Sequence, residues 1–362
     1  MLFKRLLQAS TLLPFFSATT SAQSQSSTAC NNSPSLCNRA YNNITHLGAH
    51  DSPFLRDRST SFSTSGNQYY NSTVQLDAGV RLLSAQVHKN GTSSGPDSWR
   101  LCHSTCDLLD AGSLVSWLTS IKTWMDAHPS EVVTILLVNS DNATPAQLGA
   151  QFSSSGLDKL AYVPPSTSSV PRTWPTLQSL INNGTRLMTF VASLKEPSAQ
   201  YPYLMDEFTF IFENDFENES PSNYSCTPNR PTGLTESSTG GRMFLMNHFL
   251  YSTQIFGIQQ PNDTYVNVTN AGSGLGSLGT ALQNCSGVYG KAPQFVLVDF
   301  FNVGPAIASV DRVNGVSGAV GRKSVTTAQP DEDVEGDSAG VRARGSLVAV
   351  VVAVGVAVVL GL

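Results

Sequence analysis

Asn43-Ile44-Thr45-His46-Leu47-Gly48-Ala49-His50-Asp51-Ser52-Pro53 decides how the chain is read. Ile44 to Ala49 is a short β-prone run that delivers an imidazole and a carboxylate, His50 and Asp51, to its end. Ser52-Pro53 then breaks the pattern. In a parallel α/β architecture the C-terminal ends of the strands form the reactive face, so a His-Asp pair there reads as chemistry. The alternative is a strand end whose polar pair caps a turn. The choice depends on what the other strands bring to the same end.

Outward from this run, strand-like and helix-like stretches alternate. Thr73 to Asp77 reads as a short helix stopped by Ala78-Gly79, and Val80 to Val87 as a second strand. Trp99 to Cys102 is a short third strand that presents His103. Leu114, Trp117, Leu118, Ile121, Trp124 and Met125 recur at helical spacing, so Ser113 to Ala127 is predicted to be an amphipathic helix. Val132 to Val138 is almost continuously apolar, as a strand buried on both faces reads. Further helices are expected over 144–152, 176–182 and 275–285, and further strands over 186–192, 208–213, 243–247 and 294–300. Eight strands alternating with helices predict an α/β fold, an irregular (β/α)8 TIM-type barrel over residues 23–313. Over 314–338 small residues and acids replace the periodicity, as in a linker.

The two ends address the chain to a surface. Lys4-Arg5, an apolar run to Phe16 and the small residues Thr20-Ser21-Ala22 form a secretory signal over 1–22. Leu347 to Leu362 is sixteen residues without a charge, short for a span, which wants about 20. Small residues around Ser338 and a short polar spacer precede it. That is the layout of a glycolipid (GPI) anchor signal over 339–362, with Ser338 as the expected attachment residue and Gly336 the next choice. Removing both ends leaves 17 basic side chains against 26 acidic ones, and the net charge falls from −5 to −9. So acidic a chain has no electrostatic footprint for nucleic acid. Six cysteines fit an oxidising compartment. Fifteen pairings are open, and proximity in sequence favours Cys30–Cys37 and Cys102–Cys106, leaving Cys226–Cys285. Eleven Asn-x-Ser/Thr sequons, at Asn31, Asn43, Asn71, Asn90, Asn142, Asn183, Asn218, Asn223, Asn262, Asn267 and Asn284, fit a glycosylated surface.

Set against the strand ends, the chemistry-bearing residues converge. His50 and Asp51 close strand one, Gln86 and His88 end strand two, and His103 follows strand three. Asn247-His248 ends strand seven, and Asp299 lies near the end of the last strand, beside strand one if the barrel closes. Two imidazoles and two carboxylates suit phosphoryl transfer without a metal. One imidazole takes a proton from the attacking hydroxyl and the other gives one to the leaving oxygen. His46 and His128 read as packed and helix-terminal residues.

Gly48-Ala49-His50-Asp51-Ser52, then Gly79-Val80-Arg81-Leu82-Leu83, Leu101-Cys102-His103 and Pro129-Ser130-Glu131 resemble, in this order, the phosphatidylinositol-specific phospholipase C X-domain. Cys102-His103-Ser104-Thr105-Cys106-Asp107, Trp174-Pro175-Thr176-Leu177, Leu245-Met246-Asn247-His248 and Leu297-Val298-Asp299-Phe300 are more similar still to the secreted PLC-like phosphodiesterases of fungi. The likeness covers about residues 40–313. It implies His50 as general base, His103 as general acid, Asp299 as the carboxylate that orients the base, and Asp51 as the one that supports the acid. The product would be a cyclic phosphate ester. The pattern departs from the family at strand two. The bacterial enzymes carry an Asp-x-Arg pair there, whose arginine grips the phosphate, and Ser84 and Gln86 stand in those places. The acidic calcium ligands of other relatives are missing in the same region.

The expectation is therefore a secreted, membrane-anchored monomer acting on a phospholipid or other phosphodiester, with no metal and no cofactor. His50, His103, Asp299 and Asp51 are its catalytic residues, and Gln86, His88 and Asn247 its substrate-binding ones. The competing expectation is a barrel with impaired catalysis that binds a glycolipid or cell-wall glycan.

Overall fold

A computed structural model describes residues 29–91, 95–194, 199–253 and 258–327. The signal at 1–22, the second half of the linker, Ser338 and the anchor signal at 339–362 lie outside the described residues.

Eight strands lie side by side, all parallel, in the order β7 (Leu204–Asp206), β6 (Leu187–Ala192), β5 (Val133–Asn139), β2 (Leu82–Lys89), β1 (His46–Ala49), β12 (Phe295–Val298), β9 (Met243–Asn247), β8 (Ile211–Glu213). The sequence also yields eight strands, but not the same eight. Trp99–Cys102 (β3) runs antiparallel to the end of β2, pairing Val87 with Leu101, and forms a hairpin with β4 (Asp110–Ser113) outside the barrel. Its place is taken by β7, three residues long and too short to leave an alternating signal. The expected strand over 208–213 begins as one helical turn, α5 (Glu207–Phe210), because the Asp206 side chain caps the Thr209 amide. Among the described residues β7 and β8 share no ladder; α5 joins them.

The helices start and stop where the chain's cap residues stand. α1 (Ser72–Ala78) begins at Asn71 and ends at Gly79, whose φ of +115° suits glycine. α2 (Leu114–Ala127) is capped by Ser113, and α3 (Pro145–Ser155) by a Thr144–Gln147 capping box. α4 (Leu177–Asn182), α6 (Val266–Thr269), α7 (Leu278–Tyr289) and α8 (Ala306–Asn314) complete the set. A small hairpin, β10 (Tyr251–Thr253) with β11 (Gln259–Pro261), lies apart from the main sheet. No helix among the described residues is long and apolar enough to cross a membrane.

Alternation along the strands builds two cores and one mouth. Leu47, Ala49, Leu83, Ala85, Ile135, Leu137, Val296 and Val298 point outward and pack against the helices. Leu82, Leu136, Met188, Phe190, Met243, Leu245, Phe295 and Leu297 fill the interior. Carried two residues further, the inward positions of β2, β9, β12 and β8 become Ser84 and Gln86, Asn247, Asp299 and Glu213, while those of β5 and β6 stay apolar as Val138 and Ala192. On β1 the same parity runs His46, Gly48, His50. The barrel is thus apolar below and polar at its C-terminal rim, as period-2 geometry requires.

The leading segment plugs the lower end. Tyr41 is fully buried, donates or accepts at Thr134 Oγ1 (2.7 Å), and packs with Trp174, Phe295 and His46. Burial pushes the His46 pKa down to about 4, so the ring is neutral and its Nε2–H donates to the Tyr41 carbonyl (3.2 Å). Arg81 serves the same end. Its guanidinium is buried against Glu131 and Asn32, away from the mouth.

All three expected disulfides are formed. The first half of the expected linker is held against the barrel rather than free. Val320 N bonds Asn32 O (2.9 Å), Arg322 clasps Asp311 (2.6 and 2.8 Å), Lys323 meets Asp77 (2.7 Å) and Thr326 meets the Tyr70 hydroxyl (2.7 Å). Asn31 and Asn218 are buried, their amides donating to the carbonyls of Val132 and Asp215, so these two sequons do not lie on the surface.

Gly48 is the tightest point of β1. A Cβ there would stand 2.7 Å from Leu82 Cδ2 and 2.7 Å from Leu297 Cδ2, in the middle of the interior core. Gly48→Ala is expected to destabilise the fold by roughly 1–3 kcal/mol, the ordinary cost of overpacking. Thermal unfolding followed by circular dichroism measures this, and an unchanged midpoint contradicts the packing described.

Candidate active site

His50 leaves the end of β1 beside the end of β12, because the two strands pair from His46↔Phe295 to Ala49↔Val298 and His50 N bonds Val298 O (2.9 Å). The ring Nδ1–H then donates to Asp299 Oδ1 at 2.9 Å. Asn67 Nδ2 donates to the same oxygen (3.0 Å), and Gln68 Nε2 ties the carbonyls of His50 (2.8 Å) and Val298 (3.0 Å) together. Phe249 stacks flat on the imidazole with ring centroids 3.7 Å apart. Tautomer, ring plane and backbone of His50 are all fixed, and Nε2 is the nitrogen turned toward the mouth.

Asp51 follows in the left-handed region, φ +48°, where a residue with a Cβ is strained. Its Oδ2 lies 3.6 Å from His50 Nε2 and 3.7 Å from His103 Nε2. One carboxylate oxygen therefore faces both imidazoles. Gln86 Nε2 donates to it at 2.7 Å, while Gln86 Oε1 accepts from Ser104 N at 2.8 Å. His103 stands in the loop closed by Cys102–Cys106, its backbone N bonded to Leu109 O (2.9 Å) and its ring edge-on to Phe54.

The remaining expected residues fare differently. His88 pairs with Asp141 (3.5 Å) and shares the strand parity of Ser84 and Gln86 on β2. Gln86 is at the site, but its oxygen and one amide proton are already engaged with protein. Asn247 is buried, with Nδ2 donating to Glu213 Oε2 (3.3 Å) and Asn214 O (3.2 Å). It braces Glu213 and does not face the mouth.

Electrostatics split the two histidines. Burial opposes charging of His50, but Asp51, Asp299 and Glu213 outweigh it and hold its pKa above the ordinary histidine value. For His103 burial wins: it and the neighbouring His50 hold the pKa below the ordinary value despite Asp51. His50 is thus the stronger base and His103 the stronger acid of the pair.

Several rim residues were not legible in advance. Asn67 and Gln68 come from the stretch just ahead of α1, which carries no motif. Phe249 and Tyr251 follow β9. Tyr251 packs on Phe249 (5.6 Å), and burial together with Asp299 and Asp51 keeps its phenol protonated. Glu213 accepts from Arg230 Nε at 2.8 Å, and the guanidinium covers the Phe216 ring. Behind this pair burial and Glu213 push the pKa of the Glu207 carboxyl well up. These contacts join loops far apart in sequence, and no spacing announces them.

One group of three ligand-type side chains gathers among the described residues, Cys102, Cys106 and Asp110. Both sulfurs are spent in a disulfide and Asp110 binds Arg100 (2.7 Å), so the donor set does not suit a metal. Asp51 and Asp299 each serve a histidine.

Comparison with known proteins gives the family. The PI-PLC X 1 family model matches residues 36–314. The chain is 36% identical over 288 residues to "PI-PLC X domain-containing protein 1" of Arthroderma benhamiae, covering 79% of this chain and 90% of the relative. It is 38% identical over 288 residues to an "uncharacterized secreted protein" of the same fungus, covering 78% of this chain but 62% of that longer relative. The fold matches the phosphatidylinositol-specific phospholipase C of Listeria monocytogenes at a TM-score of 0.50, with 14% identity over 78% of this chain and 95% of the bacterial one. It matches that of Staphylococcus aureus at 0.51, with 12% identity over 77% and 94%. The matched span contains every strand of the barrel and both histidines, and the chain belongs to the PI-PLC X domain family.

Proposed function

We propose that the protein is a secreted, surface-anchored phosphodiesterase of phospholipase C type working by metal-independent general acid–base catalysis. The observation that carries this reading is the pair of buried imidazoles, His50 and His103, whose Nε2 atoms face one carboxylate oxygen at 3.6 and 3.7 Å. The hydroxyl next to the phosphodiester gives its proton to His50 Nε2 and attacks phosphorus. The bond from phosphorus to the lipid alcohol breaks, and His103 gives the leaving oxygen its proton. A cyclic phosphate and a free alcohol result, with no water consumed. Asp299 orients His50 and stabilises its imidazolium. The name of the secreted fungal relative supports export. The signal and anchor patterns in the sequence support a surface address.

A second reading keeps the barrel as a binding protein for a glycolipid or glycan. The neutral Gln86, where the bacterial relatives have a cation, favours it.

A panel of phosphodiesters with an adjacent hydroxyl, assayed with and without chelator, separates the two. Turnover is expected to be indifferent to chelator. His50→Ala and His103→Ala should each lower kcat by roughly 100- to 10,000-fold. Activity that survives both changes removes the mechanism, and ligand binding without turnover supports the second reading.

The active pair carries one proton, so kcat/KM should be bell-shaped in pH. The acid limb reports the lowered His103 and the alkaline limb the raised His50, which makes the bell wider than two ordinary histidines would give. In Asp299→Asn the negative charge beside His50 is gone, its pKa falls, and the alkaline limb moves to lower pH. An unmoved alkaline limb breaks the assignment of His50.

A further inference from the structure

We infer that Ser84 and Gln86 form a positioning device for Asp51, and that Gln86 is a positioning residue rather than a substrate ligand. The inference rests on the two-histidine reading and replaces the idea of a lost phosphate site at residue 86.

The register places the device. Gly48 and Ala49 of β1 pair with Leu82 and Leu83 of β2, so Asp51, just past β1, lies level with the next inward residues of β2, Ser84 and Gln86. Ser84 takes the backbone: its Oγ accepts from Asp51 N and its carbonyl from Ser52 N, both at 2.8 Å. These bonds hold Asp51 in its left-handed conformation. Gln86 takes the side chain, donating to Oδ2 at 2.7 Å. The same amide accepts from Ser104 N at 2.8 Å, on the residue after His103, itself left-handed at φ +59°. One side chain thus fastens the shared carboxylate to the backbone that carries the second imidazole.

The amide is chemically suited to this. It donates at one end and accepts at the other, whereas arginine only donates and ionised glutamate only accepts. An arginine at 86 would pair with Asp51, draw the carboxylate from between the histidines and leave Ser104 N–H without its acceptor. The two departures from the bacterial pattern are therefore coupled. Each holds a different part of the same residue.

Gln86→Met keeps the shape and removes both bonds. In the full chain it should lower kcat by about 10- to 100-fold, the scale of a misplaced catalytic group, with KM changed less than about twofold. Gln86→Arg should also lose kcat. A raised KM with unchanged kcat in Gln86→Met, or a raised kcat/KM in Gln86→Arg, overturns the inference. Thermal unfolding is measured alongside. If Gln86→Met fails to fold, Ser84→Ala carries the test with the same expected split between kcat and KM. Imidazole titration by NMR gives a readout independent of turnover. Freed from Gln86, Asp51 can close on His103 Nε2, so the His103 pKa should rise in Gln86→Met, and an unmoved titration overturns the inference. If the wild-type chain turns over no phosphodiester, the enzymatic reading fails, and the titration still decides the role of Gln86.

Discussion

The pairing of β1 with β12 is the interaction on which the site depends. It brings residue 50 against residue 299 from opposite ends of the domain, with a 2.9 Å hydrogen bond between their side chains. A contact of that sequence separation is entropically expensive to form alone. The barrel provides it through four consecutive ladder pairs flanked by two further strands, β2 and β9. Gly48 is part of the same arrangement, since the interior core leaves no room for a side chain there. The strand that brings His50 to the rim is thus also the strand most constrained by packing.

The rim is an unusual place for so many carboxylates. Asp51, Asp299 and Glu213 are all nearly out of solvent. Buried charges persist where they are partnered, because desolvation is otherwise severe. Each has its partner here: Asp51 has Gln86, Asp299 has His50 and Asn67, and Glu213 has Arg230 and Asn247. Glu207, whose carboxylate oxygens have no hydrogen-bond partner among the described residues, takes the other course: burial and Glu213 push its pKa well up despite Arg230. The partnering explains why the loops carrying Asn67 and Arg230 are packed down onto strand ends.

How much of this the sequence carried follows from the range of each signal. Long apolar or periodic runs, such as 114–127 and 132–138, were legible because burial imposes a period on them. His50, His103 and Asp299 were legible because ordered short motifs placed them at strand ends. The strand β7 leaves no such signal, being three residues long, and Trp99–Cys102 reads as a barrel strand because a hairpin strand and a barrel strand share the same local pattern. Gln86 was located correctly and its bonds were invisible, since they depend on the left-handed turns at Asp51 and Ser104. Asn247 reads as a rim residue by parity, yet its amide turns sideways to Glu213. Parity gives the face of a strand, not the direction of a side chain at its end.

The electrostatic split of the histidines bears on how an anion could be handled here without an arginine at residue 86. In the free site the single proton of the pair prefers His50, the group with the raised pKa, over His103, the group with the lowered one. General acid–base chemistry needs the opposite arrangement. A phosphodiester carries a negative charge, and set down near His103 it raises the affinity of that imidazole for a proton. In the two-histidine reading, binding itself moves the proton toward the leaving-group side and frees His50 to accept one. The charge that meets the phosphate is then the imidazolium, not a fixed guanidinium.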